Sequence, residues 1–302
     1  MLCVIGDLVE DIVVWLPTAL SYGTDTPSKI IRTRGGSASN VAVFAATLTG
    51  KSATTNNVRL IAQVGNDALG EQLVEVLRVA GVDPCVVRSG RTGSIVVIVS
   101  LDGERTMLTD RAASTELCEP PKNWSDGVSV LHVPAYSLFS EPLSIAARSC
   151  IATAHAKNIT VSIDASSASL IKTFGVQKFR ELVIELQPKI FFCNTDEANV
   201  LNLAANPLKL DIVVIKAGAA PTTLITGASK STVAVAPVAK IIDSTGAGDA
   251  FAAGFLTRFE ETYIYESSRD QPVEELLRDC VLAGHQLASQ VLCSPGATID
   301  TR

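Results

Sequence analysis

The sequence has few aromatic residues, 5 % of the chain against 47 % hydrophobic residues overall. A core drawn from this composition is expected to consist of Val, Ile, Leu and Ala. Basic charge is not in excess. A net charge of −6 and an isoelectric point near 5.2 argue against nucleic acid or an anionic membrane as main partner. No apolar run is long enough to cross a bilayer. The seven cysteines (3, 85, 118, 150, 193, 280 and 293) form no C-x-x-C pair and mostly sit in apolar runs, so they read as reduced, buried thiols. The opening MLCVIGDLVEDIVV has no basic stretch and is cut by Asp7, Glu10 and Asp11. It reads as a buried strand rather than a signal peptide, and a cytoplasmic protein is expected. The three histidines, 132, 155 and 285, show neither metal-ligand nor triad spacing and read as structural.

Two glycine motifs are missing as well. A P-loop needs G-x-x-x-x-G-K-[ST], which does not occur in the chain. A dinucleotide fingerprint needs G-x-G-x-x-G after an early strand, but after Gly246 and Gly248 the third position is Phe251, late in the chain. Repeats, low-complexity tracts and long linkers are absent too.

What is present reads as α/β, and 302 residues suit one such domain. Leu2–Ile5 and Leu60–Val64 read as strands, with helices predicted from Gly35 through Leu48 and over Leu69–Ala80. From Val128 strands and helices alternate: strands at 128–133, 159–163, 190–193 and 212–215, helices at 142–157, 177–186 and 197–203, and a final helix over Pro272–Leu292. Such units predict a mostly parallel sheet covered by helices on both faces. The polar residues Asp164, Asn194 and Lys216 fall where strands end, which in an open α/β sheet lines the binding crevice. Short β-favouring runs within about 12–34 and 86–111 interrupt this order and read as a small β-sheet lid. Its exposed edges make a lid-to-lid homodimer a reasonable expectation.

The chain is organised around Asp243-Ser-Thr-Gly-Ala-Gly-Asp-Ala-Phe-Ala-Ala-Gly-Phe255. A β-favouring run, Thr232–Ile242, precedes it and a helix over Ala247–Phe259 follows. A strand, a glycine-rich turn and a helix N-terminus together bind anions. Asp249 stands in the first helical turn, where the helix dipole favours its ionised form. A carboxylate beside a bound phosphate suggests a base in phosphoryl transfer. The plainer reading makes Asp243 or Thr245 a helix cap, but it leaves the small residues Ala250, Ala253 and Gly254 unexplained. Their spacing puts them on one face, where something must pack closely.

Other groups are less specific. Asn194-Thr-Asp-Glu197 has capping-box spacing, and its amide and carboxylate could also hold a hydrated Mg²⁺. Gly35, Gly36 and Asn40 form a turn and cap, or a site for a polyhydroxyl ligand. Asp11 either faces solvent or accepts hydrogen bonds from sugar hydroxyls. Arg111 is equally a surface residue or a substrate contact, and Lys216, at a strand end, reads first as a surface charge.

With these residues in hand, the chain resembles the ribokinase (PfkB) family of carbohydrate kinases over essentially its whole length. The family signature D-x-T-G-A-G-D-x-F-x-x-G is met in full from Asp243 to Gly254. The glycine pair with Asn40, GNDALG at 65–70, N-x-x-E at Asn194 and Glu197, and K-x-G at Lys216–Gly218 extend the match. The resemblance implies a ribokinase-like fold and ATP-dependent, Mg²⁺-assisted phosphorylation of a hydroxyl of a small sugar, sugar acid or nucleoside. It implies Asp249 as the base and the N–H groups of Gly246, Ala247 and Gly248 as the anion hole. Asp11, Gly36, Asn40 and Arg111 would hold the substrate. Asn194, Lys216, Gly218 and Thr245 would border the nucleotide, and Asn194 and Glu197 would place Mg²⁺ largely through water. Asp243 and Thr245 would neighbour a monovalent cation such as K⁺. Ser37 replaces the Lys usual in ribokinases proper, and Pro134-Ala135-Tyr136 stands where they place a Glu, which disfavours ribose. The run from Gly103 to Arg111 is similar to the lid return of fructokinases and 2-keto-3-deoxygluconate kinases. Asp164-Ala-Ser-Ser lacks the Asn and Arg often found after that strand. A non-catalytic sugar- or nucleotide-sensing protein on the same fold is the alternative.

Overall fold

The computed structural model describes residues 1–49, 57–227, 229–265, 273–294 and 296–299. Its main sheet has nine strands in the order β13-β12-β11-β10-β9-β8-β1-β4-β5. These are β1 (Leu2–Ile5), β4 (Val58–Val64), β5 (Asp83–Arg88), β8 (Val130–Pro134), β9 (Thr160–Asp164), β10 (Ile190–Asn194), β11 (Ile212–Lys216), β12 (Thr222–Thr226) and β13 (Ser229–Val233). The first seven pair in parallel, and β12 and β13 add an antiparallel edge. A second sheet holds β2 (Val9–Trp15), β3 (Lys29–Gly35), β6 (Ser94–Val99) and β7 (Arg105–Asp110) in the order β3-β2-β6-β7. The expected mostly parallel sheet with a small companion sheet is the architecture found.

Both faces of the main sheet are buried at its central strands, so β1, β4, β8 and β10 are largely apolar at successive positions. Side chains still alternate between two cores. Leu60, Ala62, Ile190 and Phe192 face α1 (Ser37–Leu48), α2 (Ala68–Val79), α7 (Ala247–Phe259) and α8 (Val273–Leu292). Ile61, Phe191 and Cys193 face α3 (Leu143–Ala156), α4 (Ala168–Phe174) and α5 (Val176–Leu186). The short α6 (Thr195–Val200) follows β10 directly. The expected start of the last helix at Pro272 lies outside the described residues.

Several expectations need correction. The Val86–Arg88 run belongs to the main sheet, because α2 returns the chain parallel to β4 with Arg59 opposite Asp83 and Val64 opposite Arg88. Val86 and Val87 thereby pack against opposite cores. Thr232–Ile242 is no strand into the signature motif: β13 ends at Val233, and the chain then runs irregularly with Ile241 and Ile242 exposed. Beyond an edge strand there is no further partner for a β-favouring run. The antiparallel β12 and the short α4 were not foreseen. Nor are the aromatics marginal to the core, since Phe44, Phe179, Phe191, Phe192, Phe255 and Phe259 are fully buried. Phe192 of β10 meets Phe251 and Phe255 of α7 edge-on, with ring centroids 6.2 and 5.1 Å away. Phe192, Phe251, Phe255 and Phe259 thus gather where the signature helix is fixed to the sheet, while Phe139, Phe174 and Phe179 form a second ring cluster in the opposite core.

The small face of α7 has its partner in α8. A Cβ on Gly254 would lie 2.5 Å from the Ala283 carbonyl oxygen, and one on Gly284 would lie 2.8 Å from that of Phe251. Both obstacles are backbone, so the helices must separate to admit a methyl group. Gly254→Ala is expected to lower stability by about 1–3 kcal/mol in urea unfolding. A variant as stable as the parent would show that this crossing can open freely.

Candidate active site

The two sheets and the N-termini of α1 and α7 enclose a cleft of about 600 Å³. Asp164, Asn194 and Lys216 enter it from the ends of β9, β10 and β11, as expected for strand ends. Ile95, Val97 and Met107 line it from the second sheet.

The glycine pair that opens α1 exists because two aspartates press against it. A Cβ on Gly35 would overlap the Asp11 carboxylate at 2.1 Å, and one on Gly36 would meet the Asp7 carbonyl oxygen at 2.5 Å. Gly36 also has φ 100°, a conformation that glycine adopts most cheaply. Asp7, which the sequence reading passed over as a functional residue, is buried. Its Oδ1 accepts from the Ala38 N–H (3.1 Å) and its Oδ2 from Arg111. Arg111 lies over the Tyr136 ring at 4.8 Å, so it lines the cleft rather than the surface. Asp11 Oδ1 is buried with no hydrogen-bond partner. Burial and the neighbouring Asp7 push Asp11 up to about 6, against the pull of Arg34 and Arg111. An orphaned buried carboxylate oxygen beside a cleft is a site for a donor such as a hydroxyl group.

Asp249 occupies the first turn of α7, and α1 fixes its carboxylate. Oδ1 accepts from Ser37 Oγ (2.7 Å) and Oδ2 from Asn40 Nδ2 (2.9 Å). The Asn40 amide is held in that sense by Arg34, whose buried guanidinium donates to Asn40 Oδ1 (2.7 Å) and Ser39 Oγ (2.8 Å). Arg34 was not anticipated, because an arginine in a β-run ordinarily reads as solvent-facing. The expected effect of the helix dipole on Asp249 does not prevail. Burial outweighs the bonds from Asn40 and Ser37 and pushes the carboxyl up to about 7.

Lys216 is no surface charge. Its Nζ donates to Asp164 Oδ2 at 2.6 Å, and a Cβ on Gly248 would lie 3.5 Å from it. Burial pulls its pKa down, but Asp164, Glu197 and Asp249 raise it further, leaving it above the usual lysine value. Glu197 forms the anticipated capping box with Asn194. Its Oε2 accepts from the Asn194 N–H (2.7 Å), its Oε1 accepts from Asn194 Nδ2 (3.0 Å), and Asn194 Oδ1 accepts from the Glu197 N–H (2.9 Å). Burial and Asp164 push Glu197 up to about 7. Gly218, past Lys216 in a turn with φ 60°, does not line the cleft.

Neither Asp243 nor Thr245 caps α7. Asp243 Oδ1 instead accepts from the Thr245 N–H (2.8 Å) and hydroxyl (2.6 Å), and its Oδ2 accepts from the Gly296 N–H (2.9 Å). Burial alone would raise Asp243, but these donors and Arg105 hold it below the usual carboxylate range. Gly246 adopts φ 76° and leaves room for Ala297, 2.8 Å from where its Cβ would lie. The Ala247 N–H donates to the Ser244 carbonyl at 3.3 Å, while the Gly248 N–H, in the first turn of α7, has no backbone acceptor among the described residues. Of the expected anion hole, Gly246 and Gly248 line the cleft and Ala247 does not.

The other expectations concern structural residues. His132, His155 and His285 bond to Ser162, the Leu186 carbonyl and Thr222. All seven cysteines are free; Cys118 and Cys293 are exposed and Cys85 is half-buried, while the other four are buried. No helix among the described residues is long and apolar enough to cross a membrane. Nor do the described residues group three or more His, Cys, Asp or Glu in a metal-binding arrangement.

Similar proteins point the same way. The chain is 26 % identical to a probable fructokinase-5 of Arabidopsis thaliana over 267 residues, covering 82 % of this chain and 80 % of that one. Its fold matches an adenosine kinase from Sinorhizobium meliloti with a TM-score of 0.81 at 24 % identity, covering 99 % and 96 % of the two chains. It also matches a fructokinase with bound ATP from Xylella fastidiosa with a TM-score of 0.75 at 20 % identity, covering 98 % and 93 %. A family model described as pfkB family carbohydrate kinase matches residues 1–302. The chain therefore belongs to the pfkB family of carbohydrate kinases and is a phosphotransferase with an alcohol group as acceptor.

Proposed function

We propose that this enzyme transfers the γ-phosphoryl group of ATP to a hydroxyl of a small sugar, sugar acid or nucleoside, with Asp249 as the base. The observation that carries the reading is the setting of Asp249. Its carboxylate is oriented by Ser37 and Asn40, lines the cleft, and sits in the same helical turn as the open Gly248 N–H. Phosphoryl transfer passes through a loose transition state in which positioning and charge stabilisation matter more than a strong base. Asp249 takes the hydroxyl proton as the bond to phosphorus forms. The N–H groups of Gly246 and Gly248 face the charge that develops on the moving group, with Lys216 beside them. Asp11, Gly36, Asn40 and Arg111 hold the acceptor.

ATP use is supported by the relatives, one of which is a fructokinase structure that holds it. Thr245, Lys216 and the turn to Gly218 would border the nucleotide. For Mg²⁺ the fit is indirect. Both Glu197 oxygens already accept from Asn194, so these residues would hold the ion through its waters. When bound, the ion neutralises phosphate charge.

Fructose is the first acceptor to test, given the fructokinase relatives. An ADP-release assay over ketoses, aldoses, sugar acids and nucleosides is expected to find one class strongly preferred. Turnover with none of them would overturn the reading. For the preferred acceptor, kcat/KM should rise with pH up to about 7, because Asp249 accepts a proton only when ionised and titrates near that value. A profile that is level from well below 7 to above it would remove Asp249 from the role.

A further inference from the structure

Arg105 belongs to β7 in the second sheet, yet its guanidinium reaches across to the loop that precedes α7. Nη1 donates to Asp243 Oδ1 at 3.0 Å and to Thr245 Oγ1, and Nη2 donates to Ser244 Oγ at 2.6 Å. The ion pair is well shielded, with the two side chains 24 % and 14 % exposed. Asp243 also binds Thr245 and, through its other oxygen, the Gly296 N–H. Three separate parts of the chain thus meet on one carboxylate: the second sheet, the signature loop and the C-terminal segment. The next residues are Gly246 and Gly248, which supply the open backbone of the cleft.

The family resemblance implied that Asp243 and Thr245 neighbour a monovalent cation. The atoms present do not fit one. Asp243 Oδ1 and Thr245 Oγ1 already receive the guanidinium, which brings the same unit charge in a fork of directed donors. An ion bound to those oxygens would lie against a fixed positive group. Hydrogen-bond donors stabilise a transition state only when held in place beforehand, so the loop before Gly246 needs such a holding charge.

We propose that Arg105 is a positioning residue that supplies, from the second sheet, the resident cation of the 243–246 loop. The enzyme then needs no monovalent cation there. The turnover part of the test rests on the kinase reading, whereas the melting part does not.

The test compares wild type, Arg105→Met and Arg105→Lys in KCl and in choline chloride at equal ionic strength. Wild type is expected to melt at the same temperature and turn over at the same rate in both salts. Arg105→Met should lose up to about 10²-fold in kcat in choline, the scale of a site displaced by about an ångström, with little change in the acceptor KM. KCl, but not choline chloride, should then raise its melting temperature and return part of its turnover. Arg105→Lys keeps the charge without the fork of donors, so it should lose less turnover in choline than Arg105→Met and gain less from KCl. A wild-type enzyme that melts higher or works faster in KCl has a cation site that Arg105 does not fill, and the proposal fails. It fails equally if Arg105→Met keeps full turnover in choline, or if KCl restores nothing that the variant lost. If no acceptor is found at all, the melting temperatures alone decide the matter.

Discussion

Asp249→Asn is expected to lower kcat by about 10²–10⁴-fold, the range for loss of a general base, with the acceptor KM nearly unchanged. The geometry makes this a clean substitution. The oxygen of the introduced amide can still accept from Asn40 Nδ2, and its nitrogen can donate to Ser37 Oγ, which is able to turn and accept. Arg34 keeps the Asn40 amide in its present sense. The helix should therefore stay in place while the proton acceptor is lost. Steady-state kinetics with the preferred acceptor, together with a melting curve, separates the two effects. Near-normal turnover in a folded variant would show that the hydroxyl proton leaves by another route.

Lys216→Met is expected to be the most damaging single change to stability, at about 3–5 kcal/mol, the cost of breaking a buried pair by removing one partner. Lys216 and Asp164 are 15 % and 11 % exposed in their side chains, so solvent screens the pair little. Without the ammonium, Asp164 and Glu197 are left as neighbouring buried acids. Glu197, which already titrates near 7, then loses the charge that pulls it down and holds its proton more tightly. An acid raised by burial opposes folding most above its folded pKa and least below its unfolded one. The deficit of the variant should therefore be large in urea unfolding at mildly alkaline pH and shrink towards pH 5. A deficit that does not change with pH would mean that the lysine acts through packing, for example against the Phe192 ring at 5.9 Å.

The fold and the centre of the site were legible because their signals are local. Apolar runs ending in Asp164, Asn194 and Lys216 marked the sheet and its crevice, and one unbroken motif marked Asp249. The residues that orient Asp249 were harder to see. Asn40 fell in a recognisable glycine-pair motif. Arg34 sits in a strand whose first four residues are exposed, and nothing nearby in sequence says that it turns inward. Arg105 lies 138 positions from its carboxylate partner, and no spacing rule spans that distance. Asp7 carried a usable signal: a charge immediately after a fully apolar strand and a glycine must be either paired or exposed. The ionisation of Asp249 could not be read at all. The helix dipole is visible in sequence, but burial depends on what closes over the turn, and burial is the larger effect.

The place of β1 in the sheet has a further consequence, for how the chain is made. Leu2 pairs with Val58 on one side and with Val130 on the other. β1 leaves the ribosome before every other strand of this sheet, yet its second neighbour is not synthesised until β8. At ordinary translation speeds of about 5–20 residues per second, an apolar strand waits roughly 6–25 s with one edge open. Open edges invite pairing with other chains. The hazard built into this topology falls during synthesis, and chaperone supply, more than the stability of the finished enzyme, should set how much of it a cell accumulates.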